Sequence, residues 1–346
     1  MTGKSFEVES LLKSIDWIFN EIEKSPSLLG DILFLRWLIL LLLDLRAPIE
    51  SPYVYRFLQT IEKIDDTADI HNAPQKCIIY SRLKKEAGYL ARVAERIDFE
   101  RGRPDNLFIS LMCTVFAEFP EAFEPDTLNR AREWLEGIIE KNIKERNPDA
   151  LSFNLLNYYK LSGRSKKLDR WIRSLLDMQE RDHWPPVNPV WGDEISVTAN
   201  CIYNLLQLGI DPSSEPVRRA VSWLKRQMKL NGSWRENPRI TTITVRSLIA
   251  ASRYKKEIQE RFLDVIKEYE AKELMNQLLA IIRTSSIEEP LKLRLVAEGQ
   301  IALLQRGSSF KEKVKSFATK ISANPDIAKL APMVMELTAK LLTYAL

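Results

Sequence analysis

Three sets of residues have types and spacings that suggest chemistry. In Asp65-Asp66-Thr67-Ala68-Asp69, carboxylates four residues apart would share one face of a helix and could hold Mg²⁺ ions bridging a diphosphate. No second Asp-Asp-x-x-Asp follows downstream, and the stretch lies between Ser51-Pro52 and Asn72-Ala73-Pro74, so a solvated junction is the plainer role. Asp193 and Glu194, just after Trp191-Gly192, open a Ser/Thr-rich helix, where either carboxyl could serve as a proton donor. Carboxylates in a first turn also cap free N–H groups and complement the helix dipole. His183, Asp193 and Cys201 are of metal-ligating types, but Asp193 and Cys201 would stand two turns apart on one helix, about 12 Å. That is too far for one coordination shell, and only His71 and His183 supply imidazoles. The motifs therefore support neither zinc nor magnesium, and no cofactor is expected. Glycine-rich phosphate loops, Gly-x-Ser-x-Gly and His-Glu-x-x-His are absent from the sequence.

The elements that must position these residues are helices. Glycine is sparse, at 11 residues in 346, whereas chains built from hairpins need it for turns. Helical periodicity is interrupted at Ser25-Pro26, Ala47-Pro48, Asn147-Pro148, Pro185-Pro186, Asn237-Pro238 and Glu289-Pro290, and no strand-like alternation survives between these stops. The run DILFLRWLILLLLDLR is broken by Arg36 and closes at Asp44, short of the roughly 20 residues a membrane span requires. It reads as a buried core helix. The N-terminal stretch lacks the layout of a signal peptide. Three separated cysteines suit a reducing compartment, so a cytoplasmic location is expected. A net charge of +4, mixed in sign along the chain, leaves no basic footprint for nucleic acid.

An internal repeat organises much of the chain. NRAREWLEGII, KKLDRWIRSLL and RRAVSWLKRQM each place a basic residue before Trp134, Trp171 or Trp223 at the start of a helical run. Helices ending at Gly163 and Gly209, 46 residues apart, precede two of these, and IALLQRG echoes them at Gly307. EISVTANCIYNLL and RITTITVRSLIAA align at the same offset, pairing Ser196 with Thr242 and Thr198 with Thr244. Each unit is then a pair of helices, with residues 194–208 and 240–253 forming the inner member.

The helix, glutamine, loop and Gly-x-Trp of WLKRQMKLNGSW, followed by a Thr-rich helix, resemble the QW-type repeat of terpenoid cyclases and protein prenyltransferase β subunits. WIRSLLDMQERDHW looks like a degenerate copy, keeping Gln179 and Trp184 without the glycine, and Gln227 stands one residue farther from Gly232 than in the usual form. The resemblance is clearest over residues 150–255. It implies an all-α chain arranged as an α/α toroid around an apolar central cavity that binds or transforms an isoprenoid-like substrate. The cyclases' Asp-x-Asp-Asp and the prenyltransferases' Asp-x-Cys are both missing. By position, the resemblance makes Asp193 and Glu194 the acid candidates, with Trp184, Trp191, Thr198 and Thr242 near the substrate. Residues 1–100 are less regular, as the first pairs of the ring or a separate part, and 101–346 carry the repeated pairs. The rival expectation is a non-catalytic helical-repeat scaffold, an open solenoid binding a protein or peptide.

Overall fold

The stops deduced from proline and asparagine mark real helix boundaries. The computed structural model describes residues 3–187, 193–324 and 332–345, and apart from the isolated bridges Asp98–Arg103 and Glu180–His183 the regular structure described is helical. The helices are α1 (Gly3–Lys24), α2 (Ile32–Asp44), α3 (Pro52–Lys63), α4 (Asn72–Arg82), α5 (Ala87–Ala94), α6 (Asn106–Glu118), α7 (Pro125–Lys144) and α8 (Pro148–Ser162). They continue with α9 (Lys166–Leu176), α10 (Glu194–Gln207), α11 (Glu215–Arg226), α12 (Pro238–Ala251), α13 (Lys255–Thr284), α14 (Glu289–Leu303), α15 (Gly307–Ser322) and α16 (Pro332–Ala345). None of them is long and apolar enough to cross a membrane, among the described residues. The apolar run around Arg36 is α2, buried along most of its length.

Contacts divide the chain into two units, Met1–Arg46 with Phe57–Gln259, and Ala47–Arg56 with Glu260–Leu346. In the larger unit α2 packs on α4, α4 on α6, α6 on α8, α8 on α10, α10 on α12, and α12 back on α2, a closed cycle of contacts. α5, α7, α9 and α11 pack on members of that cycle, and α1 packs on α12. The helices expected as inner members, 194–208 and 240–253, are α10 and α12 of the cycle. In the smaller unit Met275, Leu278, Phe310, Val314, Phe317 and Leu341 share a separate apolar core.

Each junction leading into α10 and α12 is held by a tryptophan. The Trp184 indole N–H donates to Leu175 O at 2.9 Å and its backbone N–H to the Thr198 hydroxyl at 3.0 Å. Trp234 repeats the pair on Leu224 O at 2.8 Å and Thr241 at 3.0 Å. These bonds equate Thr198 with Thr241, three residues from the partner that a uniform offset assigns. The reason is loop length: fourteen residues separate Trp184 from Thr198, but seven separate Trp234 from Thr241. Gln179 of the degenerate copy bridges two outer helices, donating to Pro216 O and accepting from Arg219, both at 2.9 Å. Gln227 of the better-formed copy is exposed at the end of α11. Gly232 adopts φ +90, and a Cβ there would meet the α1 backbone at Ser14 N, 3.2 Å away, so both conformation and space require glycine.

Candidate functional site

The residues singled out by sequence are engaged in structure. Asp193 caps α10, accepting from Ser196 N–H at 2.8 Å, and Glu194 is exposed. Asp31, Asp105, Asn147 and Asn237 cap α2, α6, α8 and α12 in the same way, so Asp193 repeats a job done by an Asp or Asn at four other helix starts. Trp184 and Thr198 have no accessible surface and bond each other, while Thr242 is buried with its hydroxyl on Pro238 O at 2.7 Å. Trp191 lies outside the described residues. Asp65 and Asp69 occupy a turn between α3 and α4. Asp65 takes the backbone N–H of Thr67 and Asp69 that of His71, which hold both carboxyls below the usual range. His183 stacks on Trp223, 4.7 Å between ring centres, and Cys201 is buried with its thiol on Pro148 O. No group of three or more His, Cys, Asp or Glu is disposed to hold a metal, among the described residues.

A different set of residues converges. Helical periodicity puts Leu33, Trp37, Leu40 and Asp44 on one face of α2, Leu107, Leu111, Thr114 and Glu118 on one face of α6, and Asp149, Phe153, Leu156 and Lys160 on one face of α8. Arg239, Ile243, Arg246 and Ala250 follow the same spacing on α12, with Gln75, Ile78 and Arg82 on α4 and Asn200, Tyr203 and Gln207 on α10. At the C-terminal ends these faces are tied together. Arg82 reaches Asp44 at 3.4 Å and Glu118 at 3.2 Å, and Glu118 also pairs with Lys160. Arg246 pairs with Asp44 at 2.5 Å and lies 3.9 Å over the Tyr203 ring, whose hydroxyl also reaches Asp44 at 3.2 Å. One charged or phenolic group from every helix of the cycle thus joins a single belt. Burial alone would raise the Glu118 carboxyl, but Lys160 and Arg82 override it and hold it below its ordinary value.

Toward the N-terminal ends the polar groups are less completely matched. Arg36 is 8% exposed, lies 4.3 Å over the Trp37 ring, and has no hydrogen-bond partner for Nε among the described residues. Burial, then the nearby Arg239 and Arg246, push its guanidinium down to about 9, with Asp149 opposing. Asp149 sits on α8, three steps around the cycle from α2, and its Oδ1 accepts from the Asn200 amide at 3.0 Å. Its carboxyl is raised by burial, against the Asn200 hydrogen bond and the charges of Arg239 and Arg36. It retains some accessible surface even so, and Arg239 on the first turn of α12 is exposed. Trp37 Nε1 and Gln75 Oε1, and Thr114 Oγ1 one turn before Glu118, are on three neighbouring helices of the cycle and are likewise buried without partners among the described residues. Buried polar atoms normally find partners in protein, water or ligand, so these orphans on three adjacent helices are the candidate place for a bound polar group.

No family model, curated protein or solved structure matches the chain. The site must therefore be read from its own groups. Arg36 is visible in the sequence as the one charge inside the apolar run of α2, a position that breaks a membrane span but does not by itself point to a ligand. Asp149 was hidden in Asn147-Pro148-Asp149, which reads as an ordinary helix start. The inward registers mix apolar Leu33, Leu111 and Phe153 with Asp149, Arg239, Trp37 and Gln75, while Leu107 is exposed. A separate open cleft of about 260 Å³ between Arg146, Pro148, Met178 and Pro186 offers loop prolines and no orphaned polar atom.

Proposed function

We propose that the larger unit is an α/α toroid that binds a small amphiphilic molecule among its inner faces, with Asp149 as the group that exchanges a proton with it. The observation that carries this reading is the set of unmatched polar atoms on three adjacent helices, Arg36 and Trp37 of α2, Gln75 of α4 and Thr114 of α6, together with Asp149 on α8. The closed cycle of helix contacts supports the toroid, and the mixed lining supports a ligand with an apolar body such as an isoprenoid. A carboxyl whose burial favours its protonated form is suited to general acid work. Asp193 is better used as a cap. Native mass spectrometry of the purified chain before and after organic extraction tests the reading. A small-molecule adduct that extraction removes, and that a Leu111→Trp variant no longer retains, is the expected result; a bare mass from every preparation counts against it.

A second reading rests on the smaller unit, where Leu304 is 81% exposed, Leu293 62% and Met333 58%. Exposed apolar side chains on helices suit a protein-binding surface, as a helical scaffold would present. Concentration-dependent association in sedimentation velocity, abolished by Leu304→Glu, would favour it.

A further inference from the structure

The inner faces of the larger unit carry more cations than carboxylates to match them. Arg36, Arg82, Lys160, Arg239 and Arg246 stand against Asp44, Glu118 and Asp149. The belt engages Arg82, Lys160 and Arg246 on Asp44 and Glu118. Arg36 and Arg239 are left to share Asp149, whose Oδ1 is already committed to Asn200. Nor does Arg36 form an ion pair among the described residues: Asp149 reaches it only through longer-range attraction, while Arg239 and Arg246 repel it.

The chemistry of the orphans narrows what could satisfy them. A guanidinium and an indole N–H donate and cannot accept, so Arg36 Nε and Trp37 Nε1 both require an acceptor. A neutral acceptor would complete the hydrogen bonds but leave the charge uncompensated, and a buried unpaired cation is costly. An anionic oxygen group meets both demands, and guanidinium groups bind carboxylate and phosphate oxygens in paired, directional fashion. The apolar side chains Leu33 and Phe153 share the registers nearest this end and suit a hydrocarbon portion.

We propose that the site binds its ligand by an anionic oxygen group, a carboxylate or a phosphate, held by Arg36 and Trp37 of α2 and Arg239 of α12. This inference rests on the interior-site reading above. It identifies the class of ligand as an amphiphilic anion. Arg36 then has a functional reason to stand in an apolar helix, and its removal separates binding from folding.

Titration calorimetry of the full chain with octyl phosphate, octanoate and octanol tests the proposal. One of the two anions is expected to bind saturably and at least about tenfold more tightly than octanol; which anion does so distinguishes phosphate from carboxylate. Arg36→Leu is expected to abolish that preference while keeping or raising the midpoint of thermal unfolding, since the charge removed is buried without an ion-pair partner among the described residues. Arg239→Gln, a change at an exposed position, should weaken anion binding about tenfold without altering the unfolding midpoint. Equal binding of all three probes would overturn the anion proposal and leave the interior site standing. Binding of none would overturn both, and so would an anion preference unchanged in Arg36→Leu and Arg239→Gln together, because the anion would then be held elsewhere.

Discussion

At Asp149, burial and the hydrogen bond from Asn200 pull in opposite directions, and burial wins. The unfolded chain releases this proton near the ordinary value of 3.8, the folded chain only at higher pH. Between those two values the folded state holds a proton that the unfolded state lacks, so the Asp149 contribution to stability falls as pH rises through the window. Replacing Asp149 with Asn is expected to flatten that part of the profile, measured as urea midpoints from about pH 4 to about pH 7. Gly232 makes a different kind of demand. Its φ of +90 and the α1 backbone 3.2 Å from a notional Cβ both resist a side chain. Gly232→Ala is expected to cost about 1–3 kcal/mol in chemical denaturation; an unchanged midpoint would show that α1 yields at no cost. Both residues illustrate what single positions reveal in sequence. Gly232 was legible because Asn-Gly stops helices, whereas Asp149 was not, because an acid in a first turn is usually a solvated partner of the dipole and only tertiary packing makes it buried.

Helices were the most legible level, because their starts and stops are written in local chemistry. Asn147-Pro148 and Asn237-Pro238 supply a cap and a first-turn proline, and α8 and α12 begin there. Register between repeats was less legible, since the loop before α10 is longer than the loop before α12, and a uniform offset hid the shared bond of Thr198 and Thr241. The caps yield a prediction that separates structure from catalysis. Asp193→Ala and Asn237→Ala are each expected to cost about 1 kcal/mol, and Asp193→Ala to leave ligand retention in native mass spectrometry unchanged. Selective loss of the ligand in the Asp193 variant would return that residue to the site. The belt behaves differently with pH. Glu118 is held below 4.5 by Lys160 and Arg82, so its stabilisation is complete above 4.5 and is lost as pH falls through the lowered value. Glu118→Gln leaves Arg82 and Lys160 short of a partner and is expected to cost about 2 kcal/mol at neutral pH in urea titrations, shrinking toward acid.

For the molecule as a whole, the two units have separate cores, which the repeat pattern did not reveal: Gly307 follows the same helix-then-glycine pattern as Gly163 and Gly209, yet belongs to the smaller unit. A local motif records how a helix ends and carries no information about which core the helix joins. Phe310 is fully buried in that smaller core. Phe310→Ala is expected to destabilise it by about 3–5 kcal/mol, with faster amide hydrogen exchange in α15 and α16 and no change in ligand retention by the larger unit. Parallel loss of ligand would show that the units are not independent in function.

The belt that joins all six helices of the cycle has a consequence for traffic. Eleven residues separate Asp149 from Lys160 along α8, a rise of about 16 Å. If the interior binds a ligand as proposed above, the belt stands across the C-terminal ends of the cycle, and a guest would leave by the N-terminal side through which it came. Its length would be capped by that depth, and a converted molecule would have to vacate the chamber before the next could be admitted.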